Sequence, residues 1–195
     1  ALAKVIFGDV NPSGKLSESF PYKYSDTVTY KNGEFSKDDC IEYKEGVFYG
    51  YRYYEKEGID VAFPFGYGKS YTTFEYSDLT IKEVCTNACE KEGCDSALSV
   101  SLNVKNTGEV DGKEVVEIYV GENNPTVLRP VKELKGFEKV ELKAGESKTV
   151  TVTIPKSRLG YYDDNIGAFV TNNGEYTVYA CASSKDIRLK ALVTL

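Results

Sequence analysis

The stretch Leu98-Ser-Val-Ser-Leu-Asn-Val-Lys105 decides the fold, because apolar and polar side chains alternate along it. Successive side chains of a strand point to opposite faces, so a period of two is typical of a strand with one buried face. The same alternation returns in Val116–Val120, Val150–Ile154, Tyr176–Ala180 and Ile187–Val193. Turn-forming sequences such as Asn173-Gly174 separate these runs. Short strands with turns between them predict an antiparallel, immunoglobulin-like β-sandwich, which we place at residues 73–195.

The first 72 residues follow a different pattern. Residues 1–7 predict the tail of a helix that ends at Gly8 and Pro12. Aromatic residues crowd the stretch from Phe20 to Tyr71 without a sustained period, which predicts an extended connector. Many large rings on an open surface promote aggregation. We therefore expect the rings of this connector to dock on domains outside the chain, and residues 1–71 to be loose when the chain is isolated.

Composition excludes several classes of function. A net charge of -6 argues against nucleic acid as a partner, because phosphates require a basic face. No apolar run is long enough to span a bilayer, so no membrane partner is expected. The absence of histidine excludes Ser-His and Cys-His catalytic pairs and histidine-based zinc sites within these 195 residues. The absence of methionine favours a processed product or a fragment.

Five cysteines leave their redox state open. Cys85, Cys89 and Cys94 fall close together, whereas Cys40 and Cys181 lie far from them. The cluster fits a disulfide that closes a surface loop, or free thiols in a reducing compartment, and its spacing matches no common zinc pattern. Because the total is odd, at least one cysteine is unpaired or pairs outside the chain. A secreted or periplasmic location is favoured, and the localisation is otherwise unknown.

Four ordered blocks resemble the signatures of glycoside hydrolase family three. They are Asn11–Leu16 (NPSGKL), Glu45–Tyr54 (EGVFYGYRYY), Phe63–Phe74 (FPFGYGKSYTTF) and Arg129–Val140 (RPVKELKGFEKV), the last followed by Ala144-Gly-Glu146. Ser17 stands where the family has proline, Glu55 where aspartate is common, and Lys69 where leucine is usual. A single block would be weak, but four in order are specific and span nearly the whole chain.

The resemblance implies a multidomain β-glucosidase-like enzyme. In that family a barrel domain supplies an aspartate nucleophile and an α/β sandwich domain supplies a glutamate acid/base, which together hydrolyse the glycosidic bond with retention. Neither motif has a counterpart here, so the resemblance implies no catalytic residue, cofactor or metal site in this chain. It divides the chain into the tail of an α/β sandwich domain (1–20), an extended aromatic connector (21–72) and a fibronectin type III-like β-sandwich (73–195).

The carboxylates Glu42, Glu45 and Glu55 flank the aromatic stretch. Carboxylates beside aromatic rings resemble a sugar site, but charged residues along a connector are also ordinary solvated groups. None of the three matches the acid/base motif of the family, and we expect solvated charges.

Tyr49, Tyr51, Tyr53 and Tyr54 surround Arg52. Aromatic faces pack on the C–H faces of pyranose rings, and arginine stacks on aromatic rings, so this group is a candidate sugar platform. The alternation of the first three tyrosines equally fits one face of a strand that docks on a neighbouring domain, which is the interpretation we favour.

Two further groups have ordinary interpretations. Lys132, Lys135, Lys139 and Lys143 are interspersed with glutamates, which predicts a solvated face rather than a binding patch. Gly66 and Gly68 do not precede a predicted helix, so a phosphate-binding loop is not expected.

Three hypotheses about function remain. The chain is the C-terminal part of a β-glucosidase that stabilises the catalytic domains, or a free-standing carbohydrate-binding or interaction module, or a non-catalytic subunit held to a partner chain. The first is favoured, because an independent module would not retain the segment 1–20. Its partners are then the remaining catalytic domains, and its substrate, as a whole enzyme, an oligo- or aryl β-glucoside. A β-xylosidase or α-arabinofuranosidase parent is the alternative.

Overall fold

Strands are the commonest regular element in a computed structural model that describes residues 2–33, 42–85 and 96–195. The strands are β1 (Phe20–Pro21), β2 (Val61–Phe63), β3 (Phe74–Cys85), β4 (Ser96–Asn106), β5 (Gly112–Glu122), β6 (Glu133–Leu142), β7 (Ser147–Pro155), β8 (Tyr161–Asp163), β9 (Ala168–Val170), β10 (Glu175–Cys181) and β11 (Ile187–Thr194). The helices are α1 (Leu2–Ile6), α2 (Val28–Lys31) and α3 (Tyr51–Glu57), with 3₁₀ turns at Tyr24–Asp26 and Lys156–Leu159. None of these helices is long and apolar enough to cross a membrane.

Two antiparallel sheets pack face to face. One has the order β3-β4-β7 and the other the order β11-β10-β5-β6. β1 pairs with β2, and β8 with β9, as two separate antiparallel ribbons. One hydrophobic core lies between the large sheets and draws side chains from both. The predicted antiparallel β-sandwich is confirmed, and the predicted end of a helix near residue 7 corresponds to α1.

The alternation in the sequence sets the inward face of β4. Leu98, Val100, Leu102 and Val104 are all buried in the core. Between them, Ser99 and Ser101 pair across the sheet with Thr153 and Thr151 of β7. Because these polar side chains share the opposite face, the strand covers the core without burying unpaired hydroxyls.

β5 departs from this half-buried pattern. Val116, Ile118 and Val120 point into the core, as their alternation predicts. Glu117 and Tyr119 lie on the other face of the strand, and both are also buried. The sequence predicts a half-exposed strand here, and the structure shows one that is covered on both faces.

The cysteines are described only in part. Cys85 is disulfide-bonded. The loop predicted to be closed by a disulfide runs from Cys85 to Cys94, and its residues 86–94 lie outside the described residues. Cys181, in contrast, is a free cysteine buried at the end of β10.

The core predicts the effect of deleting a buried leucine. Leu98 has no exposed surface, so Leu98→Ala leaves a cavity and lowers the free energy of unfolding by about 2–5 kcal/mol. The matched control is Leu192→Ala in β11, which is 62% exposed and changes stability by less than about 0.5 kcal/mol. Urea unfolding followed by circular dichroism measures both. Equal effects of the two changes would contradict the sandwich core.

Candidate functional site

The four sequence blocks meet along one line in the structure. We call this line the seam: the contact between residues 11–20 and 48–72 on one side and the β-sandwich on the other. The blocks are far apart in sequence, and the contacts among them are long-range. The contacts at the seam explain why each block has its composition.

The first block fastens the segment before the connector to the sandwich. Asn11 donates from Nδ2 to the carbonyl of Asp111 at 2.9 Å, and its Oδ1 accepts from the Tyr71 N–H at 2.8 Å. Lys15 donates from Nζ to the carbonyl of Ala182 at 2.8 Å. These side chains tie residues 11–15 to two different turns of the sandwich, so each polar residue of this block has a structural role.

The second block ends in α3 rather than in a strand, so the favoured interpretation of the tyrosine alternation was wrong. Gly50 and Gly58, both with positive φ, bracket the helix at its two ends. The Tyr51 ring packs against Phe65 and Tyr119 at centroid distances of 5.1 and 5.6 Å. The Tyr51 hydroxyl accepts a hydrogen bond from the Leu134 N–H at 2.9 Å. A helix satisfies its own backbone and directs this ring onto β5.

The tyrosines of α3 do not form an open sugar platform. Tyr51, Tyr53 and Tyr54 are buried, and only Tyr49 of the four remains exposed. The Arg52 guanidinium lies 5.0 Å from the centroid of Tyr49 and 4.9 Å from that of Tyr51. The expectation that these rings dock on domains outside the chain is therefore wrong for Tyr51, Tyr53 and Tyr54, because the same chain covers them.

The third block passes closely over β5 at its glycines. A Cβ atom on Gly66 would lie 2.3 Å from each carboxylate oxygen of Glu117, and Gly66 has a φ of +79°. The carbonyl of Phe65 accepts from the Ser184 N–H at 2.9 Å, and the Gly66 N–H donates to the Leu16 carbonyl at 2.8 Å. Gly66 has no Cβ atom, and this allows its backbone to approach the Glu117 side chain of β5 closely.

The fourth block contributes charged side chains to the ion pairs at the seam. Lys132 forms an ion pair with Glu55 of α3, and both side chains are buried. Burial raises the pKa of Glu55, and the nearby Lys132 ammonium opposes this shift. Arg52 lies 3.6 Å from Glu133, which also pairs with Arg129. Burial disfavours the charged form of Glu133, but the surrounding cations outweigh it and lower its pKa.

The four lysines noted in the sequence have different partners and do not form one cluster. Lys135 pairs with Glu133 at 3.1 Å, and Lys139 donates to the carbonyl and hydroxyl of Ser13. Lys132 and Lys135 are therefore engaged with carboxylates and are not part of the expected solvated face. Glu42 pairs with Lys44 on the surface, as expected for a solvated carboxylate. Glu55 is buried instead, so the expectation of a solvated charge was wrong for that residue.

Two buried carboxylates of β5 have no signal in the sequence blocks. Glu114 accepts from the Tyr76 hydroxyl at 2.9 Å and lies 3.5 Å from Lys15. Glu117 accepts from the Tyr119 hydroxyl at 2.6 Å. Burial raises the pKa of Glu117 to about 7, with Lys15 and the Tyr119 hydrogen bond opposing the shift and Glu114 adding to it. Of the two, Glu117 stands at an outward position of the strand, where a glutamate looks solvated until the segment that covers it is known.

The segments on the two sides of the seam each match a known domain family. Residues 1–71 match the model of the glycosyl hydrolase family 3 C-terminal domain, and residues 114–184 match that of a fibronectin type III-like domain. The chain belongs to glycoside hydrolase family three.

Individual relatives extend the match along the whole chain. It is 50% identical to thermostable beta-glucosidase B of Acetivibrio thermocellus over 99% of this chain and 25% of that protein. It is 42% identical to an exo-alpha-(1->6)-L-arabinopyranosidase of Bifidobacterium breve over 100% of this chain and 24% of that protein. The crystal structure of a Bifidobacterium adolescentis beta-glucosidase of the same family superimposes with a TM-score of 0.89 at 40% identity, over 100% of this chain and 27% of that one. The chain thus spans about a quarter of the length of these relatives.

The glycine contact predicts a selective effect on stability. Gly66→Ala places a methyl group against the Glu117 carboxylate and requires a left-handed backbone, so it lowers the free energy of unfolding by about 2 kcal/mol or more. Gly14→Ala is the matched control, since a Cβ at Gly14 meets no atom within 4 Å. Urea unfolding compares them. An unchanged midpoint for Gly66→Ala would show that the close approach at the seam does not contribute to stability.

The raised pKa of Glu117 predicts a pH dependence. The pKa rises from 4.5 to about 7 on folding, so the folded chain holds the proton more tightly than the unfolded chain. Stability from this group is full below pH 4.5 and is lost as the pH rises through about 7. Glu117→Gln removes this slope, on the order of 1–3 kcal/mol in all.

The measurement is the free energy of unfolding at about pH 5 and about pH 8. Glu138→Gln, at an exposed position of β6, is the matched control and keeps the wild-type slope. If the free energy of unfolding of Glu117→Gln changed with pH as that of the wild type does, the pH dependence would come from other groups.

Proposed function

We propose that this chain is the part of a retaining β-glucosidase that supports its catalytic domains and itself carries no catalytic carboxylate. The match to two adjacent family domains along the chain, together with the seam that joins them, is the observation that supports this most strongly. The partners are the remaining domains of the same enzyme, in the same chain or an associated one. An oligo- or aryl β-glucoside is the proposed substrate of the whole enzyme.

An apolar surface beside the seam is the proposed contact with those domains. Leu2, Ile6 and Phe7 around α1 are largely exposed. Phe20 and Phe63 lie 6.4 Å apart, edge to face, and both are exposed. They line a groove of about 410 Å³ together with Leu16 and Tyr67. Large exposed apolar patches mark interaction sites, so this surface is the natural place for a catalytic domain to pack.

The buried carboxylates support a structural rather than a catalytic role. A glycosidase requires two carboxyl groups that flank an open substrate site. Glu55 pairs with Lys132, whereas Glu114 and Glu117 accept hydrogen bonds from tyrosines. We keep the prediction that no catalytic, cofactor or metal residue lies in this chain, and the division at residues 20 and 72 likewise stays a prediction.

A second candidate concerns the sugar that the whole enzyme releases. Relatives named exo-alpha-(1->6)-L-arabinopyranosidase are 42% and 41% identical to this chain along its full length. The same supporting part therefore occurs with different sugar specificities. The parent enzyme would then be a pentosidase, with this chain in the same supporting role.

A chimera tests the supporting role. The matching quarter of the Acetivibrio thermocellus β-glucosidase is replaced by this chain, and hydrolysis of 4-nitrophenyl β-D-glucoside is measured. We expect the chimera to hydrolyse the glucoside and the isolated chain to be inactive. Phe20→Asp combined with Phe63→Asp places charges in the proposed contact and lowers the activity of the chimera by about tenfold or more, equivalent to 1.4 kcal/mol.

The control is Leu192→Asp, at an exposed position of β11, which leaves the chimera active. The proposal would be refuted if the isolated chain hydrolysed the glucoside, if this activity co-purified with the chain, and if Glu45→Gln abolished it. A folded chimera whose activity is insensitive to the paired phenylalanine changes would refute the proposed contact surface.

A further inference from the structure

A second aromatic surface lies away from the seam, on the ribbon β8–β9. Tyr162 and Phe169 are directly paired across this ribbon, with ring centroids 5.4 Å apart and an interplanar angle of 73°. Tyr162 is 53% exposed and Phe169 is 74% exposed. We call them the aromatic pair. Large rings are stabilised by burial, so two neighbouring rings that stay exposed mark a surface that a ligand or partner could cover.

The ribbon holds the aromatic pair in a fixed geometry. The Asp163 carbonyl accepts from the Gly167 N–H at 2.8 Å, and the Asp163 carboxylate accepts from the Asn165 N–H at 2.9 Å. Gly167 has a φ of +65°, which the tight turn requires and which glycine adopts without strain. The turn is thus closed by its own hydrogen bonds. Rings held in place before binding lose little conformational entropy when a ligand covers them.

A groove runs beside the aromatic pair. Its volume is about 550 Å³, within the roughly 300–1,000 Å³ typical of small-ligand sites. The loop between β5 and β6 also lines the groove, and its Val127 and Leu128 are exposed. Apolar side chains of this loop and the two rings therefore line the same groove.

The one cationic side chain among the residues that line the groove, Arg129, is held by several partners. Arg129 donates from Nη1 to Glu122 at 2.8 Å and from Nη2 to the Leu159 carbonyl at 2.8 Å. Its guanidinium also lies 5.7 Å from the centroid of Tyr161. Because Arg129 is already paired, the groove presents no free positive charge to a ligand.

The rim of the groove supplies hydrogen-bonding groups. Asp163 and Asp164 line it with carboxylates, while Glu133, which also lines it, is paired with Arg52, Arg129 and Lys135. Carboxylates accept hydrogen bonds from hydroxyl groups and repel anions. The acidic rim therefore disfavours an anion, and a ligand that is rich in hydroxyl groups and has one apolar face fits both the rim and the apolar lining.

From this geometry we infer that the groove beside Tyr162 and Phe169 binds a neutral gluco-oligosaccharide, with a pyranose C–H face on the aromatic pair and its hydroxyl groups on the acidic rim. The choice of glucose units rests on the proposed function, whereas the class of ligand rests on the groove. The site would hold a substrate chain on the β-sandwich and raise its concentration near the enzyme.

The experiment titrates the full chain with cellotetraose and follows amide and tyrosine ring signals by NMR. We expect saturable shifts centred on β8–β9. Tyr162→Ala and Phe169→Ala each weaken binding by about tenfold or more. Phe137→Ala, at a 64% exposed position of β6, is the matched control and binds as the wild type does. Unchanged melting temperatures show that the variants remain folded.

Two outcomes would overturn the inference. One is the absence of any saturable shift with cellotetraose, in which case the groove is a surface for protein contact. The other is binding that Phe137→Ala weakens as much as Tyr162→Ala does. Neither outcome bears on the proposed function, since the chimera assay measures hydrolysis and this titration measures binding by the chain without any catalysis.

Discussion

The outer face of β5 is covered by the connector, and the packing of the chain outside the sandwich follows from this contact. Glu117 and Tyr119 on that face are as fully buried as the core residues between them. A strand of an antiparallel sandwich ordinarily has one face in water. Here the third block passes over it at Gly66, and Tyr51 of α3 fills the space beside Tyr119. The sandwich therefore buries a core on one side of this sheet and the connector on the other.

Charged groups make this cover specific as well as stable. Lys132 pairs with Glu55, and Lys15 reaches Glu114, each across the seam. Buried ion pairs recover little more than the cost of their desolvation, so they add modest stability. A shifted connector would leave each of these charges buried without a partner, which costs several kcal/mol. The pairs thus penalise every alternative placement of the connector on the sheet.

Much of the sandwich could be predicted from sequence because its signal is local. The alternation in β4, β7 and β10 specifies the inward face without knowledge of any neighbour. Family blocks likewise identified the class of enzyme, because their residues occur in a fixed order. α3 was predicted wrongly because Tyr49, Tyr51 and Tyr53 have a period of two, while the helical spacing of Tyr51 and Tyr54 was not recognised. The glycines Gly50 and Gly58 at its ends were the available signal.

The seam itself was beyond sequence reasoning, since its contacts join residues far apart in the chain. Glu117 looks like any outward glutamate, and only the approach of Gly66 makes it a buried acid with a raised pKa. The aromatic pair on β8–β9 was missed because each strand has only three residues, too few to show a period.

A fibronectin-like domain that folds on its own is a module that recombination can move from one protein to another. The double burial of β5 limits that freedom here. A crossover just before β3 would transfer the sandwich without Tyr51, Phe65 and Gly66, and the recipient would inherit Glu117 and Tyr119 bare in water. The heritable unit is therefore the sandwich together with the connector and residues 11–16.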